Sequence, residues 1–133
     1  MASLNLSPAS FDFTLYRGDT FPLTINLKTA AGATYTLASP ATNWIPKMNI
    51  ETSDNTPVYN GVITSTPSSD DGTKILVTNT STLDLYLGTS ITKYLIPGVT
   101  YYYDIQVSNT TISPNQLVTL LKGTITVEGD VTQ

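Results

Sequence analysis

The chain has 133 residues, enough for one domain with a buried core, and contains neither cysteine nor histidine; this excludes disulfides and thiolate metal sites and removes the commonest general base and metal ligand. Charged residues make up only 12 % of it, against about 25 % in ordinary soluble domains, so Thr, Ser and Asn build the polar surface. With a net charge of −4, a pI near 4.3 and six basic residues (Arg17, Lys28, Lys47, Lys74, Lys93 and Lys122) that never cluster, the chain lacks the basic stripe that nucleic-acid binding needs.

Residues 1–10 read as an N-terminal arm. They show neither the basic start nor the long apolar stretch of a signal peptide, and no run of about 18 apolar residues predicts a membrane span. From residue 11 onward the dominant pattern has period two, the mark of half-buried strands. Phe11, Phe13 and Leu15 alternate with Asp12, Thr14 and Tyr16 as a first strand, which Arg17-Gly18-Asp19-Thr20 turns. Phe21, Leu23, Ile25 and Leu27 alternate with Pro22, Thr24, Asn26 and Lys28 as a second. Ala30 to Ala33 is a loose turn, with Tyr35 and Leu37 on a short returning strand. Trp44 to Glu51 is a third strand, and the pattern leaves open whether Trp44 or Ile45 faces the core. Asp54-Asn55-Thr56-Pro57 is turn chemistry. Val58 to Ile63 is an edge strand interrupted by Asn60-Gly61, Ser65 to Gly72 a polar loop, and Lys74 to Thr78 another strand.

Leu83, Leu87, Ile91 and Leu95 fall at helical spacing, so at most a short helix is expected within Ser81–Tyr94, capped by Ser81 or Thr82 and ended by Ile96-Pro97-Gly98. Tyr101, Tyr103, Ile105 and Val107 share one face of a long strand, with Tyr102 on the other. Asn109 to Asn115 is a hairpin loop. The last strand, Leu117 to Glu128, has mixed parity that a bulge near Gly123 would explain. About seven strands at regular spacing predict an all-β, immunoglobulin-like antiparallel β-sandwich with one short helix, over residues 11–128, with 129–133 as a C-terminal tail.

Few motifs carry chemistry. Arg17-Gly18-Asp19 spells an integrin-recognition tripeptide, but a tight turn between strands explains it as well. Asp70-Asp71-Gly72 lacks the further oxygen ligands of a calcium loop. Asn5-Leu6-Ser7, Asn79-Thr80-Ser81 and Asn109-Thr110-Thr111 match the glycosylation acceptor pattern, which chance also supplies in so Thr-rich a chain. No histidine is present to activate a Ser or Thr nucleophile. A carboxylate pair such as Glu51 with Asp104 would need a cleft that nothing in the sequence marks. No enzymatic activity, catalytic residue, metal or cofactor is expected. Trp44 and Tyr102 are the candidate interface residues, since aromatics are enriched at interfaces.

Three blocks carry a resemblance. Tyr16-Arg17-Gly18-Asp19-Thr20-Phe21-Pro22-Leu23, then Tyr102-Tyr103-Asp104-Ile105-Gln106-Val107, then Leu121-Lys122-Gly123-Thr124-Ile125-Thr126-Val127 with Asp130-Val131-Thr132 occur in this order. Together they resemble the immunoglobulin-like domain of tailed-phage virion proteins, in particular the N-terminal domain of phage baseplate upper proteins, over roughly residues 11–132. That family has a short helix at the position of Ser81–Leu87. The resemblance implies a sandwich used for assembly, with no catalytic residues to carry over. Baseplate upper proteins continue into further domains where this sequence stops at Gln133, so the resemblance points to a virion component more than to a baseplate. The expected role is therefore an assembly adaptor of tail, neck or baseplate, found in the virion after synthesis in the host bacterial cytoplasm. Its partners would be other virion proteins and copies of itself in a homo-oligomer, with neither nucleic acid nor membrane. The alternatives are a capsid decoration protein on the head and, in another class, a carbohydrate- or receptor-binding module.

Overall fold

The computed structural model describes residues 9–28, 33–37, 40–66, 72–109, 111 and 116–129. Within them nine strands run in chain order: β1 (Ala9–Ser10), β2 (Phe13–Tyr16), β3 (Phe21–Asn26), β4 (Ile45–Glu51), β5 (Pro57–Thr64), β6 (Lys74–Asn79), β7 (Thr82–Leu87), β8 (Thr100–Asn109) and β9 (Gln116–Glu128). A 3-10 turn at Ala41–Asn43 and a single helical turn, α1 (Thr89–Thr92), complete the elements.

The strands form two sheets. The larger has the order β1-β9-β8-β4-β5, with β2 also paired to β9, and the smaller has the order β3-β7-β6. A β9-β8-β4-β5 layer over a β3-β7-β6 layer makes a two-layer β-sandwich. The fold is thus the all-β sandwich that the alternation predicts. It is not wholly antiparallel, because β1 and β2 both run parallel to β9.

The alternation decides which side chains enter the core. Tyr101, Tyr103, Ile105 and Val107 point inward from β8, Met48 and Ile50 from β4, and Ile125 and Val127 from β9. Leu83, Leu85 and Leu87 face them from β7, with Ile75 from β6. Phe13 stacks on Phe21 at 4.7 Å between ring centroids, closing the core between the N-terminal strand and the smaller sheet.

Five expectations change. The stretch Ser81–Tyr94 is mainly β7, not helix. Leu83, Leu85 and Leu87 satisfy a period of two as well as one of four, and pairing on both sides with β3 and β6 selects the strand. Helix survives only at Thr89–Thr92, where Ile91 is buried. The bulge in β9 falls at Leu120, because Ile105 pairs with Leu121 and Gln106 with Thr119; both leucines are thereby buried. Gly123 has a different role, described below. Phe11 lies between β1 and β2 and is exposed, so the first strand is broken where sequence alternation ran through it. Finally, Ala9 and Ser10 pair with Leu121 and Lys122, so the arm 1–10 already belongs to the sheet in its last two residues. Tyr35 and Leu37 form no strand; their amides bond to the carbonyls of Leu27 and Thr80. The break expected at Asn60-Gly61 is present as a register shift in the β4–β5 pairing, where Gly61 sits against the Ile50 and Val58 carbonyls.

Candidate functional site

The outward face of the larger sheet is where exposed chemistry gathers. Register places Ile45, Ser108 and Leu117 in one row, Lys47 and Gln106 in the next, then Val62, Asn49, Asp104 and Lys122, then Glu51, Tyr102 and Thr124. Their inward neighbours fill the core, so strand alternation forces these side chains outward. Four of them are large and apolar yet exposed: Ile45 at 52 %, Val62 at 48 %, Tyr102 at 46 % and Leu117 at 67 %. Between them lie two lysines and two carboxylates, a nearly balanced mixture. The Asn49 amide donates to the Asp104 carboxylate across β4 and β8 at 3.3 Å, which fixes both side chains on the face.

Beside Tyr102 the face dips into an open depression of about 500 Å³, bordered by Glu51, Asp104, Asp12, Lys122 and Thr124. The floor is built where the chain crosses from β1 to β2 over Gly123. The Phe11 amide bonds to the Lys122 carbonyl at 3.0 Å, and the Thr124 amide donates to Asp12 Oδ1 at 2.9 Å. Tyr103 donates its hydroxyl to the Phe11 carbonyl at 2.5 Å. Burial, and then the Asp12 carboxylate, push the Tyr103 phenol well above the ordinary tyrosine range. A side chain at 123 would overlap the Phe11 carbonyl, so glycine there is a close-approach residue.

Of the two candidate interface residues, Tyr102 stands on this face. Trp44 does not: it is 5 % exposed and lies in the core, while Ile45 takes the outward position. Continuing the parity of Met48 and Ile50 back to residue 44 gives this answer; the 3-10 turn that ends at Asn43 is what obscured where the strand begins. Leu117, Val62 and Ile45 carried no sequence mark of their own, since an outward apolar residue on a strand looks like an inward one until the register is known.

The motifs resolve into local structure. The Arg17 Nε donates to the Lys93 carbonyl at 3.0 Å, Gly18 has φ of 85°, and the Asp19 amide closes the turn on the Tyr16 carbonyl. The tripeptide is a turn held to the neighbouring helical turn. Asn79 and Asn109 each accept from an amide two residues on, at Ser81 and Thr111, so both are turn-forming side chains. Asn5, Asp70, Asp71 and 130–132 lie outside the described residues, as do parts of the Ala30–Ala33, Ser65–Gly72 and Asn109–Asn115 loops. The Asp54 carboxyl is held below its usual range by the Thr52 hydroxyl and then by Thr56, which tightens the β4–β5 turn around Asn55 at φ 66°. Glu51 and Asp104 border one open depression. Among the described residues no group of three or more His, Cys, Asp or Glu is placed to hold a metal ion, and no helix is long and apolar enough to cross a membrane.

A second concave feature lies on one side of the sandwich, between β3 and the start of β9. It is a mostly apolar groove of about 300 Å³ walled by Leu23, Ile25, Leu27, Tyr35 and Leu121. Burial raises the Tyr35 phenol above the ordinary tyrosine value.

No protein-family model matches this chain, and no curated protein matches it.

Proposed function

We propose that this protein is a structural component of a phage virion, a small immunoglobulin-like adaptor of tail, neck or baseplate that binds other virion proteins and further copies of itself. The observation that carries the reading is the outward face of the larger sheet, where Ile45, Val62, Tyr102 and Leu117 are exposed together on a rigid surface. Apolar and aromatic anchors with hydrogen-bonding groups between them are the composition of a protein interface. The balanced charge of Lys47 and Lys122 against Glu51 and Asp104 lets neighbours approach without repulsion. The mechanism is interlocking without chemistry: the sandwich is the rigid body and its outward face the contact. Residue order in the three blocks that resemble tailed-phage domains supports a virion as the setting.

A photo-crosslinking residue placed at Leu117 or at Tyr102 tests this in purified particles. Crosslinks from both positions to a virion protein or to another copy are expected. Particles free of the protein, or crosslinks from neither position, would overturn the reading.

One specific feature favours a second reading, a carbohydrate-binding module. Tyr102 offers a ring beside a depression bordered by Glu51, Asp104 and Thr124, and a sugar can stack on such a ring while its hydroxyls bond to such groups. Glycan-array binding that disappears in Tyr102→Ser would establish it, and no binding to any glycan would remove it.

A further inference from the structure

We infer that the outward face of the larger sheet docks a second copy of this chain, face to face across a twofold axis that runs along the strands between β8 and β9. The inference rests on the reading of this face as an interface and names its occupant.

A twofold axis lying in the plane of contact, along the strands, exchanges the two sides of the face. Each residue meets, from the second copy, the residue that stands across the axis from it. Asp104 on β8 and Lys122 on β9 are register partners on the outward face, and Asn49 holds the Asp104 carboxylate there at 3.3 Å. An axis between these strands therefore sets each Lys122 against Asp104 of the other copy, so the four charges alternate in sign around it. One row on, the same axis lays the exposed Tyr102 ring over Thr124 of the other copy.

The opposite direction leads to the row of Ile45, Ser108 and Leu117, about 14 Å from Asp104 along β8. Ile45 and Leu117 lie one strand to either side of Ser108, so they exchange when the axis stands over β8. An axis that drifts by half a strand spacing, about 2.4 Å, over those 14 Å serves both rows. Its tilt of about 10° crosses the strands of the two copies at about 20°, within the roughly 30° of aligned sheets packed face to face. Leu117 and Ile45, 67 % and 52 % exposed in the single chain, then cover one another. Other axes fit worse. One between β8 and β4 sets Lys122 against apolar Val62, and one across the strands at the Asp104 row sets Lys122 against Lys122 and Asp104 against Asp104.

The face is large enough for the contact by itself. It measures about 19 Å across β9, β8, β4 and β5 and about 33 Å along β8, or about 600 Å² in projection. Projection understates the accessible surface of a face covered in side chains, so the size matches the roughly 800 Å² that each partner of a standard interface covers.

Sedimentation equilibrium of the full chain tests the inference. A dimer at about 100 μM is expected, since interfaces of this size bind in the micromolar range or tighter. Lys122→Asp alone brings carboxylates together at both symmetric contacts and should weaken the pair at least about tenfold; Asp104→Lys should do the same with ammonium groups. An equal mixture of the two variants should associate as the native chain does, because every facing pair is then of opposite sign. A native chain that stays monomeric would overturn the inference. So would single variants that pair as well as the native chain, or a mixture of folded variants that stays monomeric. Should a charge variant unfold, cysteines decide, since the chain has none of its own. A short bismaleimide added to mixed Ile45→Cys and Leu117→Cys chains should give chiefly the mixed product, and a predominance of like-with-like products would overturn the inference. These failures would not carry the interface reading with them: photo-crosslinks from Leu117 and Tyr102 to a different virion protein would keep the face an interface with another occupant.

Discussion

Gly123→Ala should be far more damaging than a strand glycine replacement usually is. The added methyl would overlap the Phe11 carbonyl and lie 2.9 Å from Asp12 Oδ1. The obstacle is backbone, so the crossing between β1 and β2 must lift away from β9. Lifting breaks or stretches three hydrogen bonds: Phe11 amide to Lys122 carbonyl, Thr124 amide to Asp12, and Tyr103 hydroxyl to Phe11 carbonyl. At about 1 kcal/mol each the loss is about 3 kcal/mol. Alanine stiffens the unfolded chain and returns somewhat under 1 kcal/mol, leaving a net destabilisation of about 2–3 kcal/mol. Urea denaturation of the native and variant chains measures it, and hydrogen exchange should show the added exposure concentrated in residues 9–16. Gly98→Ala is the control: its φ is 84° but nothing lies within 4 Å of the new methyl, so only the left-handed strain of about 1–2 kcal/mol applies. A Gly123→Ala chain within about 0.5 kcal/mol of the native one would refute the close-approach argument.

Tyr103→Phe removes the hydroxyl that holds the Phe11 carbonyl and should cost about 1 kcal/mol near neutral pH. The raised phenol pKa fixes the sign of its pH dependence. The folded chain keeps that proton where the unfolded chain loses it, so this contribution is intact below about pH 10 and is lost as pH rises beyond it. Denaturation midpoints followed from pH 8 to pH 11 (about the tyrosine range) should fall at the alkaline end, and less steeply in Tyr103→Phe. Ile105→Ala, fully buried on the central strand β8, should cost about 2–5 kcal/mol by the same urea assay. Tyr102→Ser, one alternation away from Tyr103 on the outward face, should change stability by less than about 0.5–1 kcal/mol while weakening whatever binds there; a large stability loss would show that the ring supports the fold.

Most of the sandwich was readable from period-two alternation, because one face of each strand is buried and the other wet. β8 shows this best: its tyrosines at 101 and 103 are inside and the one at 102 is outside. Reading failed where two periods coincide, as with Leu83 and Leu87 in β7, since a leucine every four residues fits both a helix and every second strand position. It failed again where alternation ran smoothly through a break. Phe11 and Phe13 share parity, yet the chain leaves β9 between them to pass over Gly123, and that crossing depends on a residue more than a hundred positions away. The outward face was legible only at Tyr102, the member of the tyrosine run whose parity differs from its neighbours. Ile45, Val62 and Leu117 required the register of four strands, which no local pattern contains.

The most direct test of the proposed assembly role is a density map of a purified phage particle produced with this chain, with the sandwich fitted into it. Repeated copies in a ring at the tail, neck or baseplate are expected, with the Ile45–Leu117 row and Tyr102 buried against a neighbour. Repeated copies on the head shell would keep the virion assignment and move it to capsid decoration. A particle without density or mass-spectrometric signal for the chain would contradict it.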